Sequence, residues 1–191
     1  MFKGIAFAAL AAAIMAGAQT SAESAQKVRF NFTSEAAAEK SRYKGKKVVK
    51  YRTALAPGTI VISTRKRKLY LVMEGGKAME YGVGVGRQGF NWSGGARIAR
   101  KAEWPAWRPP EAMRKREPHL PAYMEGGPKN PLGARALYLY QGNVDTLYRI
   151  HGTSQPHTIG LAVSSGCIRM LNEEVIDLYQ RVKVGARVVV N

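Results

Sequence analysis

The chain has one cysteine and three histidines in its 191 residues. With Cys167 alone, no disulfide can form within the chain. His119, His151 and His157 are scattered, and with a single cysteine they show none of the ligand spacings of a zinc site. Acids are scarce as well: 13 Asp and Glu stand against 30 Lys and Arg, a formal charge of +17. Such an excess calls for anionic surroundings. Long apolar runs are nearly missing. The one present, from Ile5 to about Ala18, is shorter than the roughly 20 residues of a membrane span, so no transmembrane segment is expected. No nucleotide motif is found, so no cofactor is expected, and nothing resembles a recognition helix or a base-stacking platform, which disfavours nucleic acid as the partner.

What is present begins with an address. Lys3, the uncharged apolar run and the small residues after it read as a secretory signal peptide over residues 1–22. Cleavage fits after Ala22 (Thr20-Ser21-Ala22) or after Ala18 (Ala16-Gly17-Ala18). The expected location is therefore outside the cytoplasm, in the periplasm or cell envelope. There the basic surface would meet acidic wall polymers, lipopolysaccharide or anionic lipid. In such an oxidising space cysteines are normally paired as staples. A lone one is either a small buried hydrophobe or a reactive atom.

Residues 23–57 read as a basic polar tail with no sustained period, and Lys40 to Arg52 holds seven Lys or Arg and no acid. A solvated arm is the simplest reading of such a run. From Gly58 to Asn191 the texture is that of one domain. Short β-type runs are divided by glycines: GTIVIST, KLYLVM, AMEYGVGVG, ARIARKAEW, RALYLYQ, TLYRIHG and ARVVVN. The Gly75-Gly76 pair predicts a hairpin. A single helix is expected in LNEEVIDLYQRV, with Asn172 as its cap, Glu173 and Glu174 in its first turn and Gly185 beyond its end. About seven strands and one helix near the C-terminus make a mostly β fold. Between strands lies a Pro- and Trp-rich excursion, residues 103–133, too long for an ordinary connection and suited to an ordered lid or groove.

The chemistry concentrates in HGTSQPHTIGLAVSSGCIRM, residues 151–170. A thiol is a useful nucleophile only as thiolate, and an imidazole can take its proton. His151 ends one β-type run, and Cys167 ends a loop opened by Ser164, Ser165 and Gly166. If those two segments lie side by side, base and nucleophile meet. The N–H groups of Gly166 and Cys167 are placed where an oxyanion would form. His157 sits in mid-loop and His119 in the excursion, without a strand to fix either. Asp145 is the only acid between Gly126 and Asn172, so a backbone carbonyl, most simply that of Gly152, is left to orient the imidazole.

This stretch resembles the signature of the L,D-transpeptidase catalytic domain, the YkuD or ErfK/YbiS/YcfS/YnhG family: His-Gly-Thr, a glycine in the loop, then Ser-x-Gly-Cys-x-Arg. The likeness extends over roughly residues 58–191, through GTIVISTRKRKLYLVMEGGKAMEYGVGVG, KAEWPAWRPP and GGPKNPLGARALYLY. It implies a β-sandwich or barrel-like domain with Cys167 as nucleophile, His151 as base, the Gly152 carbonyl as its orienter and Arg169 near the substrate. Gly166 and Ser165 would line the oxyanion side. The implied substrate is a peptidoglycan stem peptide. The acyl acceptor would be a neighbouring stem, an outer-membrane lipoprotein, a free D-amino acid or water. Arg114, Lys115 and Arg116 could meet the carboxylates of an incoming stem. The chain departs from the family where many members carry Thr-Pro-x-Gly, having Ser93-Gly94-Gly95-Ala96 instead. A carboxypeptidase that transfers to water and a non-catalytic cationic wall-binding module are the competing readings.

Overall fold

The computed structural model describes residues 43, 45–90 and 92–191, all within the unit Phe32–Asn191. The expected signal peptide and the first part of the basic tail lie outside the described residues. Among the described residues eleven strands form: β1 (Lys47–Lys50), β2 (Ile60–Ser63), β3 (Lys68–Met73), β4 (Lys77–Gly82), β5 (Val85–Gly86), β6 (Gly94–Glu103), β7 (Arg135–Gln141), β8 (Val144–His151), β9 (Ala162–Ser164), β10 (Ile168–Arg169) and β11 (Arg187–Val190). Nine of them make one mixed sheet in the order β1-β4-β3-β2-β11-β6-β7-β8-β10, and β5 pairs with β9 in a two-stranded parallel ribbon. The fold is mostly β, as the glycine-divided runs predict.

Burial explains why β3 reads as a continuous apolar run. Leu69 and Leu71 enter the main core with Ile60, Ile62, Tyr81 and Ile98, while Tyr70 and Val72 join a second cluster on the other face with Val61 and Ala78. A strand covered on both faces need not alternate. The β3–β4 turn holds Gly75 and Gly76 at φ 70 and 66, a backbone region glycine enters without a Cβ penalty. At the sheet edge, Lys47–Lys50 of the basic stretch pairs antiparallel with β4. That tail segment is thus a strand. No period marks it because an edge strand exposed on Lys47, Val48 and Lys50 buries little, and its lysines keep the open edge from pairing further.

Among the described residues two helices occur, not one. Helix α1 (Glu111–Arg116) is a single short piece within the excursion, and α2 (Asn172–Arg181) is the predicted one. Val175 and Leu178 of α2 are buried in the main core. The N-cap is Leu171, with no side-chain cap bond, so Asn172 is not the cap. Its amide reaches sideways instead. Asn172 Oδ1 accepts the N–H groups of Ala134 at 3.0 Å and Thr153 at 3.1 Å, and Nδ2 donates to Thr153 O at 3.0 Å. At the other end, Lys101 Nζ donates to the carbonyls of Tyr179 (2.6 Å) and Val182 (2.8 Å), satisfying two acceptors the helix leaves open.

The excursion is stapled through its backbone. Trp107 and Met124 exchange hydrogen bonds of 2.8 and 2.9 Å, and Asn130 Nδ2 holds the carbonyls of Met124 (3.3 Å) and Glu125 (2.8 Å). A Cβ on Gly126 would collide with the Trp104 carbonyl, so the excursion folds back on its own first residues backbone to backbone.

Asn172 therefore joins the start of β7, the residues just after β8 and the first turn of α2. Replacing it by alanine leaves the Ala134 and Thr153 N–H groups without acceptors. Asn172→Ala is expected to destabilise the domain by about 2–4 kcal/mol, measured by urea unfolding. A loss below about 0.5 kcal/mol would show that water replaces the amide there.

Candidate active site

The end of β8 and the two residues of β10 lie parallel, with Ile168 opposite Ile150 and Arg169 opposite His151. Ile150 and Ile168 are buried at 0% and 1% exposure. Because side chains alternate along a strand, His151 and Arg169 turn to the other face. Cys167, one residue before β10, shares that face and lies two residues from the partner of His151. The ladder thus brings imidazole, thiol and guanidinium to one place from positions far apart in the chain.

Each group is held by its surroundings. His151 is buried, with Nδ1 2.6 Å from the Gly152 carbonyl oxygen. A carbonyl can only accept, so Nδ1 carries the proton and Nε2 keeps the lone pair. Gly152 is required here because a Cβ would run into Asn172 Oδ1. Cys167 is half-buried, and its Sγ lies 3.8 Å from the Leu147 carbonyl, to which the thiol donates. Arg169 Nη1 is 3.5 Å from Gln155 Oε1.

The turn before the thiol is braced by Ser164, whose hydroxyl donates to Cys167 O at 2.7 Å and accepts the Gly166 N–H at 3.1 Å. Gly166 has φ 111, and a Cβ there would strike the Tyr148 ring, which stacks on Trp92 at 4.9 Å between centroids. The Gly166 N–H, expected as an oxyanion donor, is thereby engaged with Ser164 in this conformation. The Cys167 N–H has no acceptor among the described residues. Ser165 lies beside it, half-buried. His157, in a single 3₁₀ turn (Pro156–Thr158), and His119, in the excursion, are both exposed.

Sequence reasoning missed one layer. Strand β8 carries a bulge at Leu147, whose φ of 62 is unusual for a side chain of that kind. Asp145 Oδ1 accepts the Leu147 N–H at 2.8 Å, and its carboxylate takes Arg149 Nη1 and Nη2 at 2.6 and 2.8 Å. The run TLYRIH reads as a plain strand. The available signal was the solitary acid itself, four residues from an arginine.

Burial sets the electrostatics. It pushes His151 down to about 4, with the Arg169 cation adding to the effect and bonds to the Gly152 and Leu132 carbonyls opposing it. Burial pushes the Cys167 thiol up, against a hydrogen bond from the Arg149 backbone and the cations of Arg149 and Arg169. The resting pair is therefore a neutral thiol and a neutral imidazole. Among the described residues no group of three His, Cys, Asp or Glu is gathered to hold a metal, and no helix is long and apolar enough to cross a membrane.

Comparison with known proteins fits this arrangement. Residues 57–190 match the L,D-transpeptidase catalytic domain, YkuD. The Escherichia coli (strain K12) protein named "Probable L,D-transpeptidase ErfK/SrfK" is 38% identical over 138 residues, covering 68% of this chain and 42% of that protein. The chain thus spans less than half the length of that curated relative. A Brucella melitensis structure named "Probable carnitine operon oxidoreductase caia" is 51% identical, covers 78% of this chain and 94% of its own, and superposes with a TM-score of 0.54. That name is said of the Brucella protein. Here the glycine-rich run Gly82-Val83-Gly84-Val85-Gly86 ends β4 and enters β5 without opening a helix, unlike a dinucleotide-binding turn. The L,D-transpeptidase from Mycobacterium smegmatis, 17% identical, covers 71% of this chain and 59% of its own at a TM-score of 0.53, a likeness of fold. With the family's domain matched from residue 57 to residue 190, this chain belongs to the L,D-transpeptidase catalytic domain family.

Proposed function

We propose that this protein is an exported cysteine acyltransferase that acts on peptidoglycan stem peptides in the periplasm or cell envelope. The observation that carries this reading is the parallel pairing of β10 with β8, which sets Cys167 on the face of His151 while Gly152 O fixes the imidazole tautomer. His151 Nε2 takes the thiol proton as sulfur attacks the scissile carbonyl. The oxyanion forms near the Cys167 N–H, the donor without an acceptor among the described residues. The tetrahedral species collapses by breaking the C–N bond, and His151 returns the proton to the departing amine of the D-residue. A thioester remains on Cys167. An acceptor amine then attacks it, gives a proton to His151 and regenerates the thiol. A neighbouring stem as acceptor yields a 3-3 cross-link. A lipoprotein lysine or a free D-amino acid yields anchoring or exchange.

Transfer to an amine rather than to water needs a shielded thioester. The stapled excursion, with Trp104, Trp107 and Tyr123, supports that choice. Incubation with tetrapeptide-containing muropeptides should give cross-linked dimers or exchange products in excess of tripeptides, read by mass spectrometry. Tripeptide as nearly the sole product would make the protein an L,D-carboxypeptidase.

Exposure to a carbapenem should add one mass adduct on Cys167. Cys167→Ala should abolish it and leave the circular dichroism spectrum unchanged, since a small residue in this turn opens no large void. No adduct on the wild-type protein would favour the cationic wall-binding module.

The pH dependence follows from the depressed imidazole. Above about pH 5, His151 is neutral and able to accept a proton, whereas a histidine at its usual value of about 6.5 would be mostly protonated at pH 5.5. Carbapenem acylation is therefore expected to keep most of its rate from pH 7 to pH 5.5. A tenfold fall per pH unit across that range would mean that pre-formed thiolate, rather than proton transfer to neutral His151, limits the reaction.

A further inference from the structure

Two arginines share one aromatic ring beside the nucleophile turn. The guanidinium of Arg87 lies 4.5 Å from the centre of the Phe90 ring, and that of Arg116 lies 5.2 Å from it. Arg87 directly follows β5, whereas Arg116 is the last residue of α1 in the excursion. Of the three cations in that helix, Arg116 is the one over Phe90; Lys115 turns to Glu111 at 2.8 Å.

The ring is tied to the thiol through short links. Arg87 N–H donates to the Ser164 carbonyl at 3.0 Å, and Phe90 N–H donates to the Arg87 carbonyl at 2.9 Å. Ser164 in turn holds the Cys167 carbonyl through its hydroxyl. On the opposite side of the turn, a Cβ on Gly166 would come to 3.0 Å from the Phe90 carbonyl oxygen. Phe90 therefore packs on the residues that carry the nucleophile.

Neither arginine has an acidic partner among the described residues. Asp145, the solitary acid of β8, is already bound bidentately by Arg149. Two like charges drawn to one ring repel, and the ring's quadrupole offsets only part of that repulsion. A contact with a ring uses none of a guanidinium's N–H donors on a carboxylate, so they remain able to grip one.

We propose that Arg87 and Arg116, both set over the Phe90 ring, form an anion subsite beside the turn that carries the thiol and bind there a carboxylate of the stem peptide. This rests on the acyl-transfer reading above. The carboxylate belongs either to the donor stem or to the acceptor stem, and the kinetic steps separate the two.

The test uses Arg87→Gln, Arg116→Gln and the double variant, with intact-mass detection of the carbapenem adduct as a first check. Failure of the wild-type protein to form the adduct sinks the acyl-transfer reading and is seen before any stem peptide is added. For the subsite, calorimetry on Cys167→Ala protein, with and without the two glutamine substitutions, compares a tetrapeptide muropeptide with its carboxyl-amidated counterpart. The carboxylate form should bind about tenfold more tightly, and the double substitution should erase that preference. Kinetics then assign the stem. Slower single-turnover release of the D-amino acid identifies the donor, and a raised KM for acceptor at unchanged acylation identifies the acceptor. Equal losses for carboxylate and amidated peptides would overturn the proposal, since the arginines would then only pack the excursion onto Phe90. Unchanged binding would overturn it equally.

Discussion

A parallel ladder of two residue pairs has too few hydrogen bonds to hold itself together. The Ile168–Arg169 segment stays beside Ile150–His151 because it is clamped from both sides. Met170 N–H donates to His151 O at 2.8 Å, and Arg169 exchanges two bonds of 2.9 Å with Gly84. Ile168 and Met170, both essentially unexposed, anchor the same segment in the core. With those residues fixed, strand alternation leaves Cys167 and Arg169 only one face to occupy, which is that of His151. Asn172 extends the clamp by tying the residues just beyond His151 to the start of β7, and Gly133 and Gly152 are needed where those backbones cross its side chain. The chemistry at the thiol thus depends on packing in the core behind it.

A shortage of acids shapes the rest of the surface. With 13 acids for 30 cations, most arginines and lysines cannot find a carboxylate, and many turn to aromatic rings. Arg100 and Arg149 lie 3.5 and 4.4 Å from the centre of Tyr138, and Lys101 lies 4.1 Å from that of Tyr179. Such contacts hold a cation in place without neutralising it. They leave positive charge standing in fixed positions, where carboxylate pairing would have cancelled it. Asp145 is one of the acids that do pair. It neutralises Arg149, and by taking the Leu147 N–H as well it uses that ion pair to hold the bulge whose carbonyl meets Cys167 Sγ.

The strands of the main sheet were legible because apolar and β-branched residues recur between glycines, and RALYLYQ and KLYLVM appear with the bounds the pattern predicts. His151 closes β8, as its run predicts, whereas Cys167 closes no strand but stands just before β10, whose pairing with β8 brings it to the same face. What escaped depends on contacts between distant segments. Lys47–Lys50 has no internal signal of strand and pairs only because β4 offers a free edge. Asn172 looks like a cap from its neighbours, but the amides of Ala134 and Thr153 claim its side chain. Gly166 looks like a free donor until the Ser164 hydroxyl is placed beneath it. A side chain with several possible partners cannot be assigned from local pattern, because the winner is set by which backbone arrives.

The protonation of Cys167 and of His151 reflects the balance of two influences that act differently on the two groups. Burial disfavours charge, so it raises the thiol and lowers the imidazole, widening the gap against thiolate–imidazolium. The cations of Arg149 and Arg169 favour the deprotonated form of both groups, which assists the thiol but lowers the imidazole further. On Cys167 the two influences oppose each other and burial prevails; on His151 they add. Cations near a buried thiol and histidine therefore cannot by themselves create an ion pair at rest. They become useful when negative charge appears on sulfur or on the oxygen of an attacked carbonyl, and at that moment the fixed guanidiniums need no reorientation to stabilise it. In this site the cations stabilise the charged species of the reaction, and the resting thiol stays protonated.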